Sequence, residues 1–148
     1  MSWLWVAFAV MVGGLLAVQP ALNAEIGRHL GGPVVAAAVN FSVGLVALVV
    51  IVLSTGGGVP NVGAAMRSAP WWAWCGGLIG ATFVASAALL APRIGISALV
   101  SSILLGQLAA SLVLDQYGLF NLAVREVDLQ RVVGVVLAAA GVLLVTRG

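Results

Sequence analysis

Five long apolar stretches, joined by short polar or glycine-rich connections, constrain this chain more than any other feature. Each is close to the length of about 20 residues that a helix needs to cross a bilayer. Hydrophobic residues make up 63% of the 148 positions and charged residues 7%, whereas a soluble domain is roughly one quarter charged. Since no soluble fold could bury this much apolar surface, we expect the chain to be surrounded by lipid.

The pattern predicts an all-α membrane protein with five transmembrane helices in a single transmembrane domain, residues 1–148. The predicted spans cover residues 3–28, 33–54, 71–91, 96–116 and 129–146. The longest hydrophilic connection, residues 55–69, contains Gly56, Gly57, Gly58 and Pro60, and a second short loop covers residues 118–129. The first stretch lacks a basic segment before it, which favours a membrane span over a cleaved signal peptide.

The arginines give the chain no charge bias across the membrane. There is no lysine, and the six arginines are Arg28, Arg67, Arg93, Arg125, Arg131 and Arg147. With five spans, Arg67, Arg125 and Arg131 fall on the side of the N-terminus and the other three fall opposite. Because an excess of Lys and Arg on cytoplasmic loops normally sets orientation, this balance predicts dual topology. Dual topology in turn predicts an antiparallel ten-helix homodimer with an inverted-repeat-like architecture, as in many secondary transporters. An oppositely oriented homologue could take the place of the second copy.

The tryptophans are distributed on one side only. All five lie at the N-terminal side of the predicted membrane, namely Trp3, Trp5, Trp71, Trp72 and Trp74. Aromatic belts normally mark both interfaces, and an inverted partner would supply the second belt.

Several kinds of protein are excluded by what the sequence lacks. The single Cys75 and the single His29 exclude an internal disulfide framework and make a metal site very unfavourable. A net charge of +2 is too small for nucleic-acid binding. We find no nucleophile–base pair or paired carboxylates at mid-membrane depth, so we expect no enzyme activity and no cofactor.

Polar residues in the first span indicate a possible ligand site. Counting from Arg28 at 1.5 Å per residue places Gln19 roughly 13 Å deep, near the midplane. Asn23 follows one turn later on the same face, and Pro20 removes a backbone donor between them. This arrangement predicts a helix break lining a cavity. The alternative is that the amides satisfy backbone groups freed by Pro20, or pack helices together.

Further polar residues in the second and fourth spans extend the candidate substrate site. Gln107 is near the middle of the fourth span, at a depth similar to that of Gln19, and Ser111 follows one turn later. Asn40 lies seven residues into the second span, where it either packs helices or joins Gln19 and Asn23 across the short turn between the first two spans.

Two carboxylates lie nearer the membrane surfaces. Glu25 is within one turn of Arg28 and His29, which favours an interfacial ion pair, although membrane carboxylates often couple transport to ions. Asp115 is near the other interface and is expected to be solvated or paired with an arginine. Both are candidate coupling carboxylates.

Small residues on the third and fifth spans predict close helix packing. They are Gly76 and Gly80 on the third span, and Gly134, Ala138 and Gly141 on the fifth. The fifth span has no strongly polar residue at its centre, so its contacts could be made across a dimer.

Short motifs across nearly the entire chain resemble those of the small YdcZ-type membrane proteins. The motifs are Gly13-Gly14 with residues 19–23, residues 70–80, residues 91–95, Gly106-Gln107, and residues 114–118. That family belongs to the drug/metabolite transporter superfamily, whose longer members have ten spans in two inverted halves. The resemblance implies a half-sized member that must pair.

Together these observations favour a small inner-membrane secondary transporter, an exporter of small metabolites or amphipathic compounds. It would work by alternating access in an antiparallel dimer, with membrane lipid, a second copy and a small-molecule substrate as partners. The alternative is a helical membrane scaffold or accessory subunit that transports nothing, in which the glutamines would be bonded between helices.

Overall fold

The computed structural model describes residues 3–55 and 61–147, and these residues are almost entirely helical. The elements are α1 (Trp3–Leu30), α2 (Pro33–Ser54), α3 (Val62–Ser68), a 3₁₀ turn (Trp71–Cys75) that continues into α4 (Gly76–Ile94), α5 (Ile96–Tyr117), a second 3₁₀ turn (Leu119–Asn121) and α6 (Leu129–Arg147). Five helical segments within these described ranges are long and apolar enough to cross a membrane. The expectation of five apolar spans in an all-α protein is therefore confirmed.

Two details of the predicted spans are wrong. The connection over residues 55–69 contains the helix α3, which begins because the Asn61 side chain accepts a hydrogen bond from the Ala64 N–H at 2.9 Å. The glycines and the proline of this connection, at positions 56–58 and 60, lie outside the described residues. The first span has no break at Pro20, since α1 is one helix from Trp3 to Leu30. A single proline removes only one backbone donor, and the apolar sequence on both sides keeps the rest of the helical ladder.

The chain divides into two compact units, Met1–Arg93 and Ile94–Gly148. In the first unit, α1 and α2 form an antiparallel hairpin with a turn made by two glycines. Gly31 has a φ of 87°, and the Gly32 N–H donates to the Gly27 carbonyl at 2.8 Å. This 6→1 bond ends α1 in a Schellman motif. Pro33 then begins α2 at the position where a helix best accepts proline.

Small residues bring α1 and α2 close together beyond the turn. A methyl group on Gly27 would lie 3.3 Å from the Gly32 carbonyl oxygen and 3.6 Å from the Ala36 Cβ. Ala36 and Ala37 are buried at the same contact. Helix α4 contributes a buried alanine-rich stripe, and its Gly80 faces the ring of Phe41 on α2. The core of this unit is thus built mainly from alanine and glycine, which permit close approach of helices.

In the second unit a hydrogen-bonded connection, residues 118–128 and here named the strap, joins α5 to α6. Gly118 ends α5 in the left-handed conformation, with φ 56° and ψ 35°. The Arg125 N–H donates to the Asp115 carbonyl at 2.8 Å, and the Val127 N–H donates to Gln116 Oε1 at 2.7 Å. Asp128 then caps α6 by accepting from the Arg131 N–H at 2.8 Å. The connection is therefore fixed by both backbone and side-chain bonds.

Replacing Gly118 by alanine is expected to destabilise the chain by about 2 kcal/mol, because an L-residue is strained in the left-handed region. The added methyl would also lie 2.7 Å from Val124 Cγ2 and 2.9 Å from the Leu122 carbonyl oxygen. Unfolding in mixed micelles titrated with a denaturing detergent measures the change. Gly13→Ala is the matched control, since a methyl there meets nothing within 4 Å. Equal stabilities of the two variants would contradict the strained turn.

Most large apolar side chains lie on the outside of the single chain. Leu4, Leu45, Leu78 and Leu144 are examples that are more than 60% exposed, and among the described residues of α6 none is buried. In a membrane protein these surfaces face lipid or another protein. The chain thus has far more apolar surface than it covers by its own packing.

Candidate functional site

The buried polar contact of the first unit joins Asn23 of α1 to Asn40 of α2. Asn23 lies seven residues before the end of α1 and Asn40 seven residues after the start of α2, so both are roughly 10 Å from the shared turn. The Asn40 Nδ2 donates to the Asn23 Oδ1. The two amides meet at the same depth because α1 and α2 are antiparallel and the two residues are equally far from the short turn that joins the helices.

The Asn23 amide is only partly satisfied. Its residue is 2% exposed, and its Nδ2 has no hydrogen-bond partner among the described residues. Leaving a buried donor unpaired costs about 1–3 kcal/mol. A bound water or a ligand oxygen at this position would remove that cost, so the Asn23 Nδ2 is a candidate donor.

We expect Asn40→Leu to destabilise the hairpin by about 1 kcal/mol, since it leaves the entire buried Asn23 amide unbonded. The double variant Asn23→Leu/Asn40→Leu should lose less than the sum of the single losses, because it removes both groups. The measurement is a double-mutant cycle by unfolding in mixed micelles. Ser42→Ala serves as control, because among the described residues the Ser42 hydroxyl donates only to the Ala38 carbonyl of its own helix. Purely additive losses would show that the two amides are not coupled.

The glutamines predicted to lie near the midplane form no hydrogen bond with any residue that the structure describes. Gln19 on α1 is half-buried, and Gln107 and Ser111 on α5 are exposed. Neither glutamine has a hydrogen-bond partner in residues 3–55 and 61–147, whereas the Ser111 hydroxyl donates to the Leu108 carbonyl of its own helix at 2.8 Å. Gln19 belongs to the first unit and Gln107 to the second, so a site made from both stays a prediction.

Both candidate coupling carboxylates are ion-paired. Glu25 binds Arg28 through Oε2 and lies 3.1 Å from His29 Nε2 through Oε1, and its side chain is 52% exposed. This is the geometry of an ion pair at the end of a helix. Asp115 binds Arg131 across the α5–α6 connection, and both side chains are about two-thirds or more buried. Asp115 on α5 therefore has a structural partner on α6, across the strap.

The predicted packing residues differ in what they touch. Gly80 contacts Phe41, whereas a methyl on Gly76, Gly134 or Gly141 would meet nothing within 4 Å. Ala138 is half-buried. Of these four predicted packing glycines, only Gly80 would place a methyl against another helix among the described residues, and packing of the α6 stripe across a dimer remains a prediction.

Sequence reasoning missed an open groove in the first unit. It has a volume of about 260 Å³ and lies where the end of α1, the start of α2 and the end of α4 come together. Its lining includes Ala24, Gly27, Arg28, Pro33, Leu89 and Arg93. Arg93 entered the sequence analysis only through the charge count and the family motif, although the recurrence of proline and arginine at the ends of two spans could have drawn attention to it.

Comparison with protein families identifies the chain's relatives. A family model described as "Putative inner membrane exporter, YdcZ" matches residues 4–144. Comparisons with curated proteins and with solved structures find nothing that matches. Since the family match covers nearly the full sequence and the described residues contain five apolar helices of spanning length, the chain belongs to the YdcZ-type family of the drug/metabolite transporter superfamily.

Proposed function

We propose that this protein exports small polar metabolites or amphipathic compounds by alternating access in an antiparallel homodimer. The observation that carries the proposal is an exposed amide midway along α5, a helix of membrane-spanning length. Gln107 is roughly 15–17 Å from either end of α5, and it has no hydrogen-bond partner among the described residues. An amide left unbonded in hydrocarbon costs several kcal/mol, so Gln107 requires a hydrated pathway, a ligand or a partner.

The polar groups at this depth suit a neutral or zwitterionic ligand. Gln19, Asn23 and Gln107 offer amide donors and acceptors, with Asn40 and Ser111 nearby in their own units. The charged side chains of the described spans lie toward the helix ends, where Glu25 and Asp115 are already paired with arginines. A strong isolated ion would find no opposite charge at the midplane. The pathway therefore fits polar molecules that hydrogen-bond, or compounds with one polar and one apolar part.

The antiparallel dimer supplies what one chain lacks. The balanced arginines permit both insertions, and the odd number of spans makes the pair an inverted repeat. In such a pair the inward- and outward-open states could be the same structure with the roles of the two copies exchanged. The small-residue stripe of α6, whose described residues are not buried, offers a surface for the second copy.

We expect Ala138→Cys, in a Cys75→Ala background, to form a disulfide between copies under oxidation. Ala138 lies at the middle of α6, so two antiparallel α6 helices can bring their copies of this residue together. Val145→Cys lies two turns further on the same face of α6 and should not cross-link, because each copy would lie roughly 10 Å from the centre on opposite sides, beyond the Cα separation of about 4.4–6.8 Å in disulfides. Cross-linking is read as a dimer band on a non-reducing gel. Efficient cross-linking by both variants would indicate parallel α6 helices, and none by either would remove α6 from the interface.

The scaffold alternative requires glutamines that are bonded between helices, and in the described residues Gln19 and Gln107 have no such bonds. Exchange measurements in proteoliposomes separate the two functions. Vesicles loaded with a panel of labelled neutral and zwitterionic metabolites and one amphipathic dye should exchange at least one member faster with the protein than without it. If no solute of the panel is exchanged under any pH or sodium gradient, the result favours the scaffold function.

A further inference from the structure

The groove of the first unit combines apolar walls with two guanidinium groups. Ala24 and Gly27 of α1 and Leu89 of α4 supply apolar surface, and Arg28 and Arg93 line the same groove. Its volume of about 260 Å³ is slightly below the 300–1,000 Å³ of pockets that enclose drug-sized ligands. The groove can therefore hold a small polar group with the beginning of an apolar chain, and the rest of a larger ligand would extend into the bilayer.

The charge of the groove is unbalanced. Arg28 is paired with Glu25, which also contacts His29. Arg93, by contrast, has no hydrogen-bond or ion-pair partner in residues 3–55 and 61–147. With the Arg28–Glu25 pair neutral overall, the guanidinium of Arg93 remains as an unpaired positive charge. The groove therefore places the guanidinium of Arg93, which has no partner among the described residues, beside an apolar surface.

The start of α2 adds to this preference for an anion. Gly32 and Pro33 line the groove, and no side chain caps the N-terminus of α2. The first N–H groups of a helix and its dipole favour negative charge nearby. The groove lies at the helix ends, where the phosphate groups of lipids are found in a bilayer.

We propose that this groove binds the phosphate group of an anionic phospholipid, with Arg93 as its main anchor and Arg28 as a second donor. Arginine matches the geometry of phosphate through paired N–H donors. Ala24, Gly27 and Leu89 would contact the glycerol and the first part of the acyl chain. The proposal is independent of the transport pathway, since it uses neither the glutamines nor the asparagine pair. In an antiparallel dimer it would place one lipid site at each membrane surface.

The test is native mass spectrometry of the full-length protein released from detergent micelles. The probes are dioleoyl phosphatidylglycerol, dioleoyl phosphatidylcholine, dioleoylglycerol and inorganic phosphate. We expect phosphatidylglycerol to be retained about 10-fold more strongly than dioleoylglycerol, the effect of about one charge-assisted hydrogen bond, and phosphatidylcholine to fall between them. Arg93→Gln should abolish the preference, and Leu89→Trp should weaken retention by filling an exposed part of the groove. Arg67→Gln, which removes an arginine of α3 outside the groove, should bind as the unmodified chain does.

Two results would overturn this assignment. Equal retention of phosphatidylglycerol by Arg93→Gln and Arg67→Gln, with helicity unchanged by circular dichroism, would show that the groove does not select the phosphate. Complete displacement of phosphatidylglycerol by millimolar inorganic phosphate would show that the site takes free phosphate and would overturn a lipid as its source. Retention that survives inorganic phosphate but is lost in Arg93→Gln supports the lipid.

Discussion

Replacing Gln19 and Gln107 together by leucine is expected to lower the solute exchange rate in proteoliposomes by about 100-fold. Each amide hydrogen bond to a bound polar molecule contributes about 1 kcal/mol, and a bond to a charged group more, so each glutamine is expected to account for about a factor of 10. Leucine has a similar size and introduces no new polar group. The quantity measured is the initial rate of exchange of the solute that the unmodified protein transports best.

Folding should survive the same change. Neither glutamine donates to or accepts from another described residue, and Gln107 is exposed on α5, so their loss removes no hydrogen bond among the described residues. Gln130→Leu is the control, because that glutamine is exposed at the beginning of α6, away from the midplane. Transport at the unmodified rate by the folded double variant would remove both glutamines from the site. A similar loss in Gln130→Leu would show that the effect is not specific to depth.

Removing the carboxylate of Asp115 is expected to destabilise the chain by about 2 kcal/mol. Asp115→Ala leaves the Arg131 guanidinium, whose side chain is 32% exposed, without its partner. Breaking a fully buried pair costs about 3–5 kcal/mol and an exposed one about 0–1 kcal/mol, and this pair lies between the two. Unfolding in mixed micelles at neutral pH measures the loss.

The chain provides its own comparison for that prediction. Glu25 pairs with Arg28 in a setting where both side chains are more than half exposed, so Glu25→Ala should cost less than about 1 kcal/mol. The double variant Asp115→Ala/Arg131→Ala should be more stable than the sum of its single losses predicts, because it removes both charges. Equal losses of stability for Asp115→Ala and Glu25→Ala would show that burial of the Asp115–Arg131 pair does not strengthen it.

The sequence was sufficient to predict features that depend on long averages or on fixed spacing. The five spans follow from apolar length alone, since hydrocarbon tolerates no other arrangement of these residues. The meeting of Asn23 and Asn40 could be foreseen as one of two alternatives, because two helices joined by a short turn place equally spaced residues at the same depth. The ion pairs of Glu25 and Asp115 were likewise suggested by arginines at suitable separations.

Other features depend on information that is not contained in residue spacing. The helix α3 begins after Asn61, whose side chain caps it. This is a local signal in a segment whose glycines and proline otherwise indicate a loop. The continuity of α1 through Pro20 depends on the balance between one lost hydrogen bond and the surrounding helical ladder. The groove near Arg93 depends on how α4 is rotated about its own axis, and in an alanine-rich helix almost every face is small enough to pack. For the same reason, apolar patterning could not determine which faces meet.

The two hairpins have a consequence for how the protein is made. Helices α1 and α2 pack on each other across a two-glycine turn, and α5 and α6 pack across the strap. Contacts between sequence neighbours form with little loop-closure cost, so each hairpin can mature soon after synthesis. Each also closes its main polar contact between helices with its own residues, Asn23 with Asn40 and Asp115 with Arg131. Each hairpin can therefore form without contacts from a second copy. In the proposed dimer, pairing should then be governed by abundance in the membrane rather than by simultaneous synthesis.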